Sequence, residues 1–208
     1  MPETPARTLT RKGQATRDRI VDAAARLIAL HGVAGTSTEH VREAAGVSGS
    51  QLYHYFDSKQ ALIRAVITRQ ADAAAGGSPD LGALDSFDAL RAWADAAIER
   101  QEMTDGQPEC ELSALAGELS ATDERSREEL SAGFLRWKDT LLAGLTAMRE
   151  RGELRADADL DELAFALLTA LQGGQLLTQT MKSTEGLRAA LNAALGYVRS
   201  FAEPGSTA

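Results

Sequence analysis

Histidine, cysteine and serine are the residues where chemistry is sought first. The three histidines, His31, His40 and His54, all fall within the first 54 residues, and the one cysteine, Cys110, lies far from them. None has a metal-ligating spacing such as H-E-x-x-H, and no phosphate loop of the type G-x-x-x-x-G-K-[ST] is present. No enzymatic activity, cofactor or metal is therefore expected. A lone cysteine cannot close an intramolecular disulfide. Cys110 stands near a predicted helix start, which favours a thiolate, but Glu109 and Glu111 flank it and oppose one. A packed or pocket-lining thiol is the expectation, not a redox switch.

The residues that do form a pattern are polar and mostly neutral. Gly49, Ser50, Gln51, Tyr53 and His54 surround a single Leu52. On a helix Leu52 turns inward and the others outward. Small residues at 49 and 50 let such a helix enter a DNA major groove N-terminus first. The Gln51 carboxamide can pair bidentately with adenine, and Tyr53 and His54 can reach phosphates or base edges.

Positioning such a helix takes a turn and a partner. A short helix ending at Ala45 is followed by Gly46-Val47-Ser48 and a second helix running to about Tyr55. Gly46 tolerates the left-handed backbone that the turn demands. Val41 and Val47 pin the two helices together, and Ser48 caps the second. Any hydroxyl of Thr36-Ser37-Thr38 can cap the first, and Thr36 with Glu39 has capping-box spacing. Upstream, Ile20, Ala24, Leu27 and His31 recur at helical spacing up to a stop at Gly32. Downstream, Asp57-Ser58 caps a fourth helix holding Leu62, Val66 and Ile67. Residues 37–56 thus read as a helix-turn-helix. A buried helical hairpin is the structural alternative, and the outward Gln51, Tyr53 and His54 speak against it.

Charge is distributed unevenly. Residues 1–64 hold nine Lys and Arg against six Asp and Glu, and the remainder thirteen against twenty-four, so a head of +3 precedes a body of −11. A basic head presents one face to phosphate while the acidic body stays off it. No apolar run approaches the ~20 residues that span a bilayer. The basic start is not followed by an apolar stretch, so no secretory signal is read, and the cytoplasm is the expected compartment.

The whole reads as all-α, with about nine helices in two lobes. Residues 1–12 form a flexible arm, 13–60 a DNA-binding domain, 61–75 a connecting helix and 80–204 a regulatory and dimerisation domain. Gly76-Gly77-Ser78-Pro79 marks the break. Beyond it, Phe87, Leu90, Trp93 and Ile98 mark helix five, and Leu112, Leu115 and Leu119 helix six. Leu130 to Met148 carries a long stripe, Leu160 to Thr178 helix eight, and Leu187 to Phe201 helix nine.

The run AGVSGSQLYHYFDSKQAL, Ala45 to Leu62, with Gly32 and Ser37-Thr38 before it, resembles the TetR family of bacterial regulators. The resemblance implies that residues 48–54 are the recognition helix and that Ser37, Tyr53 and Lys59 contact phosphate, giving a DNA-binding set of Ser37, Thr38, Ser48, Gly49, Ser50, Gln51, Tyr53, His54 and Lys59. Two positions depart from the family's pattern: Ser50 stands where Gly or Pro is frequent, and Arg42 where a small residue is usual. Arg42 must then point outward or pair with an acid such as Glu43. The C-terminal half resembles the LmrA/QacR-like branch, from Glu109–Leu119, Trp137, the Arg149–Leu154 turn and Leu171-Gln172-Gly173-Gly174. That implies a homodimer on a palindromic double-stranded operator, and repression relieved by a small hydrophobic effector. The expected dimer face is Leu167, Ala170, Leu171, Gly174, Thr178, Leu191, Leu195 and Val198. The expected effector lining is Trp93, Met103, Cys110, Leu115, Phe134, Trp137 and Phe165. The rival reading is a helical protein-interaction module without DNA binding.

Overall fold

The computed structural model describes residues 9–75, 83–104 and 112–204, and within them it is built of nine helices. The chain divides into two compact units, Met1–Ile67 and Thr68–Ala208. Cys110, Glu109 and Glu111 lie outside the described residues, as do residues 1–8 of the expected arm.

In the first unit, α1 spans Arg11–Gly35, capped by the Thr10 hydroxyl, which accepts from the Gly13 N–H at 3.2 Å. Helix therefore begins inside the segment read as an arm. Gly32 bends α1 instead of ending it, with φ 70 and ψ 172. That conformation falls in the left-handed half of the map, which a side chain tolerates poorly. Helices α2 (Thr38–Ala45), α3 (Gly49–Tyr55) and the start of α4 (Lys59–Ala75) follow. Ile20, Ala24, Ile28, Val41, Val47, Leu52, Phe56, Leu62 and Val66 are buried and form the unit's interior.

The second unit holds α5 (Phe87–Met103), α6 (Leu112–Leu119), α7 (Glu124–Glu150), α8 (Leu160–Met181) and α9 (Glu185–Arg199). Ser86, Asp123 and Asp159 cap α5, α7 and α8 with side-chain oxygens. An isolated bridge, Leu154 to Ala202, ties the turn after α7 to the residues after α9. Helices α8 and α9 form an antiparallel hairpin. Gly174 lies under Leu187 at one end, and at the other the Tyr197 hydroxyl donates to Glu162 at 2.7 Å. Trp93, Leu141, Leu145, Met148, Leu163, Leu167, Leu171, Leu187, Leu191 and Val198 share one core.

That core corrects the expected dimer face. Leu167, Leu171, Gly174, Thr178, Leu191, Leu195 and Val198 are buried within the chain, and Ala170 packs half-buried against the same cluster. Side chains already enclosed by their own chain present nothing to a second copy. The reason is geometric: the stripe of i, i+4 and i+3 leucines on α8 is the one facing α7 and α9. The opposite side of α8 is left outward. Leu176 and Leu177 are 57% and 47% exposed there, while Phe165, 47% exposed, lies on the flank toward α7 beside Phe134, and Met181, 66% exposed, ends the helix. No charged residue interrupts α8 from Leu163 to Met181.

Candidate nucleic-acid interface

The local chain dictates α2 and α3 through their caps. Ser37, not Thr36, caps α2: its Oγ accepts from the His40 N–H at 3.1 Å. Thr36 is buried and donates its hydroxyl to the Gly32 carbonyl at 2.9 Å. Glu39 consequently has no capping-box partner and takes Arg42, Nε to Oε2 at 2.9 Å, with Glu43 more distant at 3.4 Å. The guanidinium holds the Glu39 carboxyl below its ordinary pKa, first through this hydrogen bond. The extra cation of Arg42 is thus neutralised on the surface of α2.

Gly46 ends α2 in the left-handed region, φ 63 and ψ 42, and its N–H turns back to the Arg42 and Glu43 carbonyls. A Cβ there would meet no atom within 4 Å, so backbone conformation alone calls for glycine. Ser48 then opens α3 with a complete capping box. Its Oγ accepts from the Gln51 N–H at 3.1 Å, and its own N–H donates to Gln51 Oε1 at 2.9 Å. The Ser50 hydroxyl lies 3.0 Å from that of Ser48. Leu52 is the buried residue of α3, while Ser50, Gln51, Tyr53 and His54 are exposed and Gly49 is half-buried.

This arrangement sorts the expected DNA-contacting residues. Ser48, Gly49, Ser50, Gln51, Tyr53 and His54 share the outward side of one short helix, and Ser37 and Thr38 stand half-buried at the start of α2. Several are already engaged: the Ser37 and Ser48 hydroxyls in their caps, and Gln51 and Lys59 as well. Gln51 Oε1 belongs to the capping box, so a bidentate grip on adenine must share that oxygen or dissolve the cap. Lys59 is half-buried and its Nζ donates to the Val33 carbonyl at 2.7 Å, closing the end of α1 rather than standing free. Arg19 does the same for α2 through the Ala45 carbonyl, at 3.1 Å.

The second unit separates the expected effector-lining residues. Trp93 and Leu115 are buried, Trp137 packs half-buried at the core's edge, and Met103 stands 86% exposed at the end of α5. Phe134 and Phe165 do come together, in an open groove of about 400 Å³ floored by Leu130 and edged by Leu135 and Arg127. Sequence spacing places Leu130, four residues before Phe134, in the apolar stripe of α7 and gives no signal for Leu135 or Arg127 as groove residues. Beside the groove, Lys138 lies over the Phe165 ring and pairs with Asp161 at 2.6 Å and Asp139 at 3.1 Å. Those two carboxylates, Asp161 foremost, push the ammonium pKa upward.

Comparison with known proteins agrees with this geometry. Residues 20–66 match the family described as "Bacterial regulatory proteins, tetR family", and residues 86–194 match "Tetracyclin repressor-like, C-terminal domain". The chain is 30% identical over 178 residues to the HTH-type transcriptional regulator Rv0196 of Mycobacterium tuberculosis, covering 81% of this chain and 87% of the relative. It is 28% identical over 155 residues to the HTH-type transcriptional repressor KstR2 of Rhodococcus jostii, covering 73% and 74%. Among solved structures, a TetR transcriptional regulator from Chloroflexus aurantiacus superposes with a TM-score of 0.75 at 26% identity, covering 93% of this chain and 98% of that one.

Proposed function

The chain belongs to the TetR family of bacterial regulatory proteins and is a DNA-binding transcriptional regulator; from that premise we propose that it is a cytoplasmic repressor, binding a palindromic operator as a homodimer and released by a small hydrophobic effector. The observation that carries the DNA-binding part is the capped, outward-facing α3 behind the left-handed Gly46 turn. A short helix with one buried residue and an uncharged polar face suits insertion into a major groove. Repression accords with the names of the relatives KstR2 and AcnR. No helix among the described residues is long and apolar enough to cross a membrane. Placement of the second unit in the LmrA/QacR-like branch belongs to this proposal as well, since the matched family description reaches only a tetracyclin repressor-like domain.

For the dimer, the uncharged outer side of α8 around Leu176 and Leu177 is the surface put forward. Apolar side chains exposed together are costly to leave in water, and a two-fold axis mirrors a palindromic operator. Sedimentation of a Leu176→Glu, Leu177→Glu variant is expected to show monomer, with helicity retained. For the effector, the groove between Phe134 and Phe165 is the proposed seat. Helix α4 is the proposed lever, since the boundary between the units falls within it. Release requires that the effector prefer the conformation in which the two recognition helices no longer fit successive major grooves.

Fluorescence anisotropy on duplex from the chain's own upstream region tests the reading. Tight binding that weakens steeply with salt supports it; a native protein with no salt-dependent duplex binding would leave the protein-interaction module in its place. Reciprocity tests release: the operator must weaken effector binding by the same factor that the effector weakens operator binding.

A further inference from the structure

The polar surface of the helix-turn-helix does not stop at the end of α3. The Tyr55 hydroxyl lies against Gly13 of α1, where an added methyl would stand 3.5 Å from it. One turn further on, the Arg17 guanidinium sits over the Phe56 ring, 5.4 Å from its centroid. These contacts fix the first turns of α1 beside the C-terminal end of the recognition helix, all within the Met1–Ile67 unit.

Gly13 faces that contact, and the residues just before it, Arg11 and Lys12, are exposed. Neither side chain has an acidic partner among the described residues. The nearest acid along the helix, Asp18, accepts from the Gln14 amide at 2.8 Å. Arg17, Arg19, Arg42 and Lys59 of the same unit are each engaged within the chain. Arg19 and Lys59 close helix ends, and Arg42 is paired with Glu39. Two adjacent cations with no acidic partner among the described residues are thus held at one end of the recognition helix.

A helix of seven residues is about 10 Å long, shorter than the ~12 Å width of a major groove. Once α3 lies in the groove, its C-terminal end is beside a wall of phosphates. We infer that Arg11 and Lys12 grip the phosphate backbone flanking the groove, so that α1 supplies a sequence-independent anchor next to the reading helix. The inference rests on the DNA-binding reading above. Phosphate contacts of this kind set register and salt dependence and carry no base preference.

The test is the slope of log affinity against log salt for an Arg11→Gln, Lys12→Gln variant of the full chain. Its charge-matched control is Arg26→Gln, Arg149→Gln, which removes two exposed cations elsewhere. Loss of two phosphate contacts makes the slope less steep by about 1.8 per bound protomer. It also weakens operator and scrambled duplex by the same factor, with an unchanged thermal midpoint. The control is expected to keep the native slope. An unchanged slope in the Arg11, Lys12 variant overturns the inference, and so does an equal shift in the control, which would make the effect one of net charge. Failure of the native protein to bind duplex at all overturns the functional reading and this anchor together; native binding with an unaltered variant slope overturns the anchor alone.

Discussion

Helices α3 and α8 are held in place by different physics. Helix α3 has seven residues, buries one of them, and is far shorter than the ~12–15 residues an isolated helix needs to persist in water. It is fixed by a polar frame: a capping box at its start, the Gly46 turn before it and Leu52 beneath it. Helix α8 has 22 residues and buries nine of them. It is held by apolar area on one side and leaves a second apolar side exposed. A cap is specific to single atoms, so displacing one group shifts the helix that carries it. Burial is degenerate: one leucine stripe resembles another, and only the surrounding helices decide which is inside.

The contrast can be broken most severely on the inner side of α8. Leu171→Glu places an uncompensated charge where 1% of the residue is exposed. It is expected to cost about 3–5 kcal/mol, out of a typical total of about 5–15 kcal/mol. Chemical denaturation should show the second unit unfolding early, whereas the outer Leu176→Glu, compared at a concentration where the native chain is also monomeric, keeps its midpoint.

Gly174→Ala comes next. Its Cβ would meet Leu187 Cδ1 at 2.6 Å and Cα at 2.7 Å, the latter unable to move aside. Overpacking of this kind costs about 1–3 kcal/mol. The adjacent Gly173→Ala meets nothing within 4 Å and should instead stabilise by up to ~1 kcal/mol, through better helix propensity. Equal effects from the two neighbours would refute the assignment of faces on α8.

At α3 the expected effects are smaller in stability and larger in function. Ser48→Ala removes the cap and should cost about 1 kcal/mol, with weaker binding on every sequence. Gln51→Glu keeps the capping-box acceptor but loses the amide donor. If Gln51 chiefly positions the helix, its ranking of substituted operators stays native even though overall affinity falls. A changed preference at one base pair per half-site would instead restore Gln51 as a reader of adenine.

The same contrast explains what could be read beforehand. The turn was legible because its requirements are local: glycine for a left-handed residue, Ser48 for a cap, and Val41, Val47 and Leu52 at spacings that point inward. The capping box too was present as a Ser-x-x-Gln spacing at Ser48 and Gln51, but Gln51 also fits the chemistry of adenine, and the second role was preferred. Ser37 and Thr36 are both plausible caps by spacing; burial of Thr36 decides between them, and burial is not a local property. Lys59 resembles a phosphate ligand, yet the carbonyl that engages it lies 26 residues away. On α8 the leucine period was read correctly while its orientation was inverted, because periodicity defines a face without saying what covers it. The long uncharged interval from Leu163 to Met181 was a signal that α8 has two apolar sides.

The two cationic clasps of the first unit also bear on how it is made. Arg19 to Ala45 and Lys59 to Val33 each join groups 26 residues apart in the chain. Both bonds, and the interior they enclose, can form once the segment through Ile67 has emerged from the ribosome. Contacts so near in sequence give a low contact order and rapid folding, and domains made first fold first. The nascent chain is therefore expected to carry a folded helix-turn-helix while its second unit is still being synthesised.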